Sequence, residues 1–225
     1  ARAGAGDGMD RMRPTDPLRP PGTPAPAPSA DRTPRARTGP PPSPADELLD
    51  VVDAHDRVTG QATRGEVYAR GLRHRCVFVE VRDAQDRLFV HRRTATKLTF
   101  PARYDMFVGG VVGAGESYDD AALREAEEEL GVRGLPRPEP LFTFHYEVDD
   151  AARARDGAGT VSGSWWSRVY QVRCELPVRP QETEVAWYAY LPRAEVERRL
   201  DTWPWVPDGL AAYHRLKEFR RGGAG

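Results

Sequence analysis

The chain has little sulfur, no long apolar run and no excess of charge. Two cysteines, Cys76 and Cys174, stand among 225 residues. Two are too few for a disulfide framework. They read as reduced core residues on strands, which fits a cytoplasmic protein. No run is apolar for the roughly 20 residues that a membrane span needs. The first residues lack the apolar core of a signal peptide. With 33 basic and 34 acidic residues the formal charge is −1. That balance offers no basic surface for nucleic acid, and no helix-turn-helix pattern is present. The expected partner is a small molecule, with no nucleic acid and no membrane.

What is present divides unevenly. Residues 1–45 hold seven Arg and four Asp, and twelve prolines fall between Pro14 and Pro44. Such a segment cannot bury enough apolar surface to offset the entropy lost on ordering, so it is expected to be a disordered tail. Its PxxP spacings follow from proline density alone. Met9 and Met12 leave the biological start open inside it. One domain is expected over residues 46–225.

Within that domain, apolar alternation predicts strands at 48–53, 58–63, 76–81, 88–91, 107–112, 141–148, 165–174 and 184–191. Helical spacing predicts helices at 64–69, 117–130, 194–200 and 210–220. The polar turn at 83–87 joins two strands as a hairpin, and 150–163 reads as a flexible loop. Strands interleaved with helices give an α/β sandwich.

The most informative segment runs from Gly110 to Val132. It reads Gly110, five residues, Glu116, seven residues, Arg124-Glu125, Ala126, Glu127, Glu128-Glu129, Leu130, Gly131 and Val132. Ala122, Leu123, Ala126 and Leu130 form one stripe of a helix. Glu125, Glu128 and Glu129 share the neighbouring face. Like charges at this spacing destabilise a helix by a few tenths of a kcal/mol per pair, roughly. A positive partner is needed among them. Mg²⁺ or Mn²⁺ suits carboxylate and carbonyl oxygens, whereas the lack of Cys and His here argues against structural zinc. Ser117 is a good N-cap with Asp119 and Asp120 in the first turn. Gly131 sits where the helix should stop. A bare acidic run would be a solvated face; the glycines and the arginine that frame it change the reading.

This pattern resembles the signature box of the Nudix hydrolases, which cut diphosphate bonds in nucleoside diphosphates linked to another group. The resemblance implies an α/β/α sandwich with a mixed sheet. It also implies Mg²⁺-dependent hydrolysis of a small-molecule diphosphate. Glu128 and Glu129 would bind metal, Glu125 would bind metal or activate water, and the carbonyl of Gly109 would add a ligand. Arg124 and Glu116 would brace the loop against the helix between Gly110 and Gly131. Glu125, Glu128 and Arg124 form the catalytic set on this reading.

Further residues resemble the Nudix branch related to type I isopentenyl-diphosphate isomerases. They are Val52-Asp53, the segment 71–78, the segment 88–93, then Thr94, Lys97, Pro101 and Tyr104-Asp105. The likeness covers roughly residues 48–200. The isomerases carry a catalytic cysteine and a metal-binding histidine where this chain has Gly109-Gly110-Val111. Hydrolysis is therefore expected and isomerisation is not. An isoprenoid-diphosphate enzyme and an inactive ligand-binding module are the alternatives. Arg92, Arg93 and Lys97 would meet phosphates, or else form a solvated basic edge. His74 is a metal or phosphate ligand on one reading and structural on the other. Glu182 is the first choice for one more distant ligand, ahead of Glu184 and Glu147. Of Trp165 and Trp166, one should point inward and one outward. Trp203 and Trp205 should pack the last helices. A homodimer is open to the chain.

Overall fold

The computed structural model describes residues 43–97, 99–148 and 163–223. The expected tail lies outside these residues apart from 43–45, as does the expected 150–163 loop apart from Gly163. A 3₁₀ turn, Pro44–Asp46, is capped by the Ser43 side chain. It leads to β1 (Leu48–Val52), β2 (Val58–Thr63) and the short helix α1 (Arg64–Arg70). Next come β3 (His74–Arg82), β4 (Leu88–Arg93), the two-residue β5 (Tyr104–Asp105) and α2 (Tyr118–Leu130). The chain continues through β6 (Glu139–Glu147), β7 (Ser164–Arg173), β8 (Val185–Leu191), α3 (Arg193–Arg198) and α4 (Pro207–Gly222). Among the described residues no helix is long and apolar enough to cross a membrane.

β3 is buried on both faces, and its alternation sorts residues between two cores. Val77, Val79 and Val81 pack with Ala121, Ala122, Ala126 and Leu130 of α2. Phe78 packs on the other side with Tyr213 and Leu216 of α4. The sheet is therefore filled between helices as an α/β/α sandwich. It is mixed: β7 runs parallel to β3 from His74↔Trp165 to Arg82↔Arg173, and β6 is antiparallel to β7.

The expected hairpin of the third and fourth strands shrinks to one pair, Arg82↔Leu88. The other edge of β3 is taken by the chain entering α2. Val77 N–H donates to the Gly110 carbonyl at 2.9 Å and Val79 N–H to the Val108 carbonyl at 2.8 Å. β4 instead diverges to pair with β8 and β5. The segment expected to be a strand at 107–112 forms only isolated bridges. Gly109 breaks its regularity with φ +156, and a Cβ there would lie 2.0 Å from the Val77 carbonyl oxygen.

α2 starts and stops where its residues dictate. Ser117 accepts from Asp120 N–H, and Gly131 closes the helix with φ 63. A Cβ on Gly131 would meet the Arg179 carbonyl oxygen at 1.9 Å, so this end also seats a later loop. Deeper in the sheet, Glu80 is 1% exposed. It accepts from Arg82 at 2.9 Å, from Arg193 at 3.4 Å and from Arg220 at 2.6 and 3.0 Å. Burial would raise its pKa, but the Arg220 hydrogen bonds and the arginine charges hold it below the usual carboxylate range.

α4 begins against β5. Tyr104 N–H donates to the Pro204 carbonyl and Val206 N–H to the Tyr104 carbonyl. Asp105 accepts from Phe107 N–H at 3.1 Å, and a Cβ on Gly209 would sit 2.6 Å from its Oδ1. Asp208, in the first turn, accepts from Gly209 N–H. Burial pushes Asp105 up to about 7, with repulsion from Asp208 adding and Arg93 opposing. Burial pushes Asp208 up to about 6, again opposed by Arg93. Both carboxyls hold protons more tightly folded than unfolded. Their contribution to stability is full below about pH 4 and lost as pH rises through about 6 to 7. These two carboxyls should make stability in urea unfolding slope downward from pH 4 to pH 7, by at most about 1.4 kcal/mol per pH unit each, against an opposite slope from buried His74, whose pKa is pushed down from 6.5 to about 4. Asp105→Asn should remove part of that slope; an unchanged slope would show that Asp105 titrates as an ordinary carboxyl.

Candidate active site

The loop from Gly109 to Glu116 and the exposed turn of α2 meet over the edge of β3. Arg124 joins them. Its Nε and Nη2 donate to the two oxygens of Glu116, each at 2.8 Å. Its Nη1 donates to Glu125 at 2.7 Å, and Nη2 also reaches the Val111 carbonyl at 3.3 Å. Glu116 in turn accepts from Gly113 N–H at 2.9 Å. Burial would raise the Glu116 pKa, but the Arg124 and Gly113 hydrogen bonds hold it down. Gly110 leaves room for the cluster, since a Cβ there would lie 2.6 Å from the Glu125 carboxylate.

The three remaining carboxylates differ in exposure. The Glu128 side chain is half exposed. Burial pushes Glu125 up to about 7; Glu129 and Glu128 add repulsion, while Arg124 opposes. Burial pushes Glu129 up to about 7 as well, with Lys97 and Arg93 opposing and Glu184 and Asp105 adding. Gly109 N–H donates to Glu129 at 3.3 Å. Among the described residues no three His, Cys, Asp or Glu side chains are already gathered at metal-ligating spacing. The donor chemistry nonetheless fits a hard divalent cation. It offers oxygen atoms only, on crowded carboxyls whose mutual repulsion a cation would relieve.

These groups line a cavity of about 530 Å³. Arg93 and Lys97 line it as expected, with Lys97 paired to Glu184 at 3.0 Å. Arg93 donates through Nη2 to the Thr99 carbonyl at 3.0 Å. Arg64 adds a third cation, held by Glu47 at 3.0 Å and by the Tyr68 hydroxyl at 3.1 Å. His74, Cys76, Phe100, Trp165 and Val206 also line it.

Some expected residues fall elsewhere. Arg92 points away from Arg93, as strand alternation requires; it lies over the Tyr104 ring and donates to the Ala102 carbonyl. Glu182 and Glu147 are exposed and do not line the cavity, whereas Glu184 does. Glu184 N–H and Val185 N–H both donate to the Gln181 carbonyl. The turn so formed carries Glu182 on its outer side and delivers Glu184 inward. His74 lines the cavity; burial pushes its pKa down to about 4, and Nδ1 meets the Leu72 carbonyl at 3.1 Å. Trp165 is the inward tryptophan, while Trp166 reaches the Asp53 carbonyl at 3.4 Å. Trp203 stacks on Tyr104 with ring centroids 3.9 Å apart, outside the cavity. Asp105, Asp208 and Arg64 also line the cavity, and sequence reading missed them. Each lies on a different element; Arg64 and Asp208 are far from the acidic box in sequence, whereas Asp105 stands five residues before Gly110. Both cysteines are free, and burial pushes the Cys76 thiol well above its usual pKa.

A family model, the NUDIX domain, matches residues 72–212, a span holding the acidic box. A Nudix hydrolase of Streptomyces coelicolor is 66% identical over 178 residues, which are 79% of this chain and 92% of that protein. The Nudix hydrolase YfcD of Escherichia coli is 35% identical over 166 residues, 74% of this chain and 84% of its own. The crystal structure of DR0079 from Deinococcus radiodurans superposes with a TM-score of 0.58 at 28% identity, over 75% of this chain and 98% of that one. A MutT protein of Methanosarcina mazei shares the fold at a TM-score of 0.52 and 17% identity, over 68% of this chain and 96% of that one. Box, sandwich and relatives agree: the chain belongs to the Nudix hydrolases, enzymes that hydrolyse phosphoanhydride bonds.

Proposed function

We propose that the chain hydrolyses a diphosphate bond in a nucleoside-diphosphate-type or related small molecule, with Mg²⁺ or Mn²⁺ as cofactor. The observation that carries this is one cavity holding Glu125, Glu128 and Glu129 together with Arg93 and Lys97. Glu125, Glu128, Glu129 and the Gly109 carbonyl are the groups that would hold the cation. When bound, it would neutralise phosphate charge and lower the pKa of water. Arg93 and Lys97 bind the phosphate oxygens by charge-assisted hydrogen bonds. Water attacks one phosphorus, the bridging P–O bond breaks, and Glu125 takes the water proton. Arg124 acts as a positioning residue, because its fork is filled by Glu116, Glu125 and the Val111 carbonyl. Two free cysteines support a reducing cytoplasm as the compartment.

The likeness to the isomerase branch extends this reading to layout and not to reaction. Gly109-Gly110-Val111 offers neither thiol nor imidazole, and the one thiol in the cavity, Cys76, stays neutral because it is buried.

Glu129→Gln keeps the Gly109 hydrogen bond and removes the charge. It should lower kcat by about 10² or more with the melting temperature retained. Full wild-type turnover in excess EDTA would sink the metal reading.

Loss of the brace should act twice. Arg124→Ala should cost about 1–3 kcal/mol of stability as well as activity, and Arg124→Lys should not restore either, since an ammonium cannot fill a bidentate fork. A variant that melts like wild type and changes only KM would refute positioning.

Isopentenyl diphosphate incubated with the chain and Mg²⁺, then followed by NMR, should yield no dimethylallyl diphosphate. Its appearance at an enzymatic rate would overturn the assignment of hydrolysis as the only chemistry.

A further inference from the structure

The hairpin of β1 and β2 holds none of the box residues, yet it grips the box loop along its length. Ala114 N–H donates to the Leu48 carbonyl at 2.8 Å, and Leu49 bridges to Gly113. Leu49 also packs with Val111 in a small apolar cluster beneath the loop. Gly115 N–H donates to Asp50 Oδ2 at 3.0 Å. At the head of α2 the Tyr118 hydroxyl donates to Asp56 Oδ2 at 3.1 Å, and Asp56 accepts from Arg75 Nε at 2.6 Å.

Asp50 stands out among these contacts. It is 5% exposed on a short strand, and burying a carboxylate is costly unless its oxygens are hydrogen-bonded. Oδ1 accepts from Gln61 Nε2 at 3.0 Å, and Gln61 is its cross-strand neighbour. That bond belongs to the hairpin and accounts for one oxygen. The other reaches outside the hairpin to a residue that needs holding. Gly115 has φ +73, in the left-handed region that glycine enters most readily. A Cβ on it would meet nothing within 4 Å, so conformation rather than space accounts for the glycine. Such a residue has many backbone alternatives, and the bond to Asp50 selects one. Next in the chain is Glu116, whose carboxylate holds Arg124, and Arg124 in turn holds Glu125.

We propose that Asp50 is a positioning residue of the candidate site: it fixes the turn at Gly115 and, through Glu116 and Arg124, sets the Glu125 carboxylate for a divalent cation. This rests on the metal reading above. Arg124 ties the loop to its own helix, and Asp50 ties that pair to a separate element. The role is one of hydrogen bonding and not of charge. Asn at this position can offer its carbonyl to Gly115 N–H and its amide to Gln61, whose own amide can rotate to accept. Ala offers no acceptor, and Glu carries its carboxyl one methylene too far. Partners that orient metal ligands typically contribute about 10- to 100-fold in metal affinity. Asp50 acts through two intervening side chains, which places it at the low end.

The test is binding of Mn²⁺ alone to the full chain, followed by loss of the free-ion signal in electron paramagnetic resonance. Each variant's melting temperature is recorded beside it. Asp50→Ala and Asp50→Glu should each weaken Mn²⁺ about tenfold, while Asp50→Asn should stay within about twofold of wild type. Val52→Ala controls for general loosening of the hairpin. Val52 is 3% exposed on the same strand, and its N–H bonds to the Arg73 carbonyl rather than to the loop. It should destabilise the fold and leave Mn²⁺ affinity as in wild type. If Asp50→Ala does not fold, Asp50→Glu decides in its place. The proposal is overturned if these two variants bind like wild type. It is also overturned if Val52→Ala weakens Mn²⁺ as much, which would make the effect one of stability, or if Asp50→Asn does, which would make it one of charge. A wild-type chain that binds no Mn²⁺ would overturn the metal reading and this proposal with it.

Discussion

Everything at the candidate site hangs on the Arg124 guanidinium. A planar fork with five fixed donors can hold a carboxylate in two bonds at once. Here it holds Glu116 from the loop while reaching Glu125 on its own helix. The loop then has one height above α2, and the carboxylates on the helix have one setting. Without that tie, a glycine-rich loop would sample many conformations, and the helix would carry a run of mutually repelling charges. The fork also explains why Gly110 is glycine: the Glu125 carboxylate already occupies the space that a side chain would need.

The second constraint is backbone. The chain from Val108 to Val112 hydrogen-bonds along one edge of β3, so the box is anchored to a largely buried strand of the sheet. That choice displaces β4, which turns away to β8. Residues of β3, β4 and β5 all line the cavity. Its cations come from α1, α2, the end of β4 and the loop after it, and its acids from the first 3₁₀ turn and the residue after it, from α2, from β5, from the turn before β8 and from the start of α4. The candidate carboxylate helix and the cavity beside it thus draw on elements spread along the chain from α1 to α4.

This bears on what a reader of residues could see. The helix of the box was legible because its cap, its apolar stripe, its acidic face and its glycine stop all lie within one continuous stretch. The sandwich was legible from strands interleaved with helices and from the resemblance that the box carries. Pairing was not. Nothing in Leu88–Arg93 says that its main partner lies a hundred residues on, because register between distant strands is set by packing. Within a strand the parity of Arg92 and Arg93 could be stated as a rule, yet which residue faced the cavity needed the partner strands. Glu182 and Glu184 were separated by a turn whose geometry no residue type fixes. Asp208 carries no local signal for the site, and only the meeting of β5 with α4 makes it a neighbour of Asp105.

Glu80 gives the last helix a meaning beyond packing. Its carboxylate lies on β3 and is shared by Arg82, by Arg193 near the start of α3 and by Arg220 near the end of α4. The other end of α4 carries Asp208 in the cavity floor. A 16-residue helix is a stiff rod of roughly 24 Å. Clipping the chain before Arg220 would leave a buried anion short of its principal counter-charge. The rod would then lose its far mooring, and the disturbance would be felt in the chamber at its opposite tip. The carboxy-terminal turn of α4 is in this sense a remote part of the candidate site, and a fusion partner placed there is mechanically connected to it.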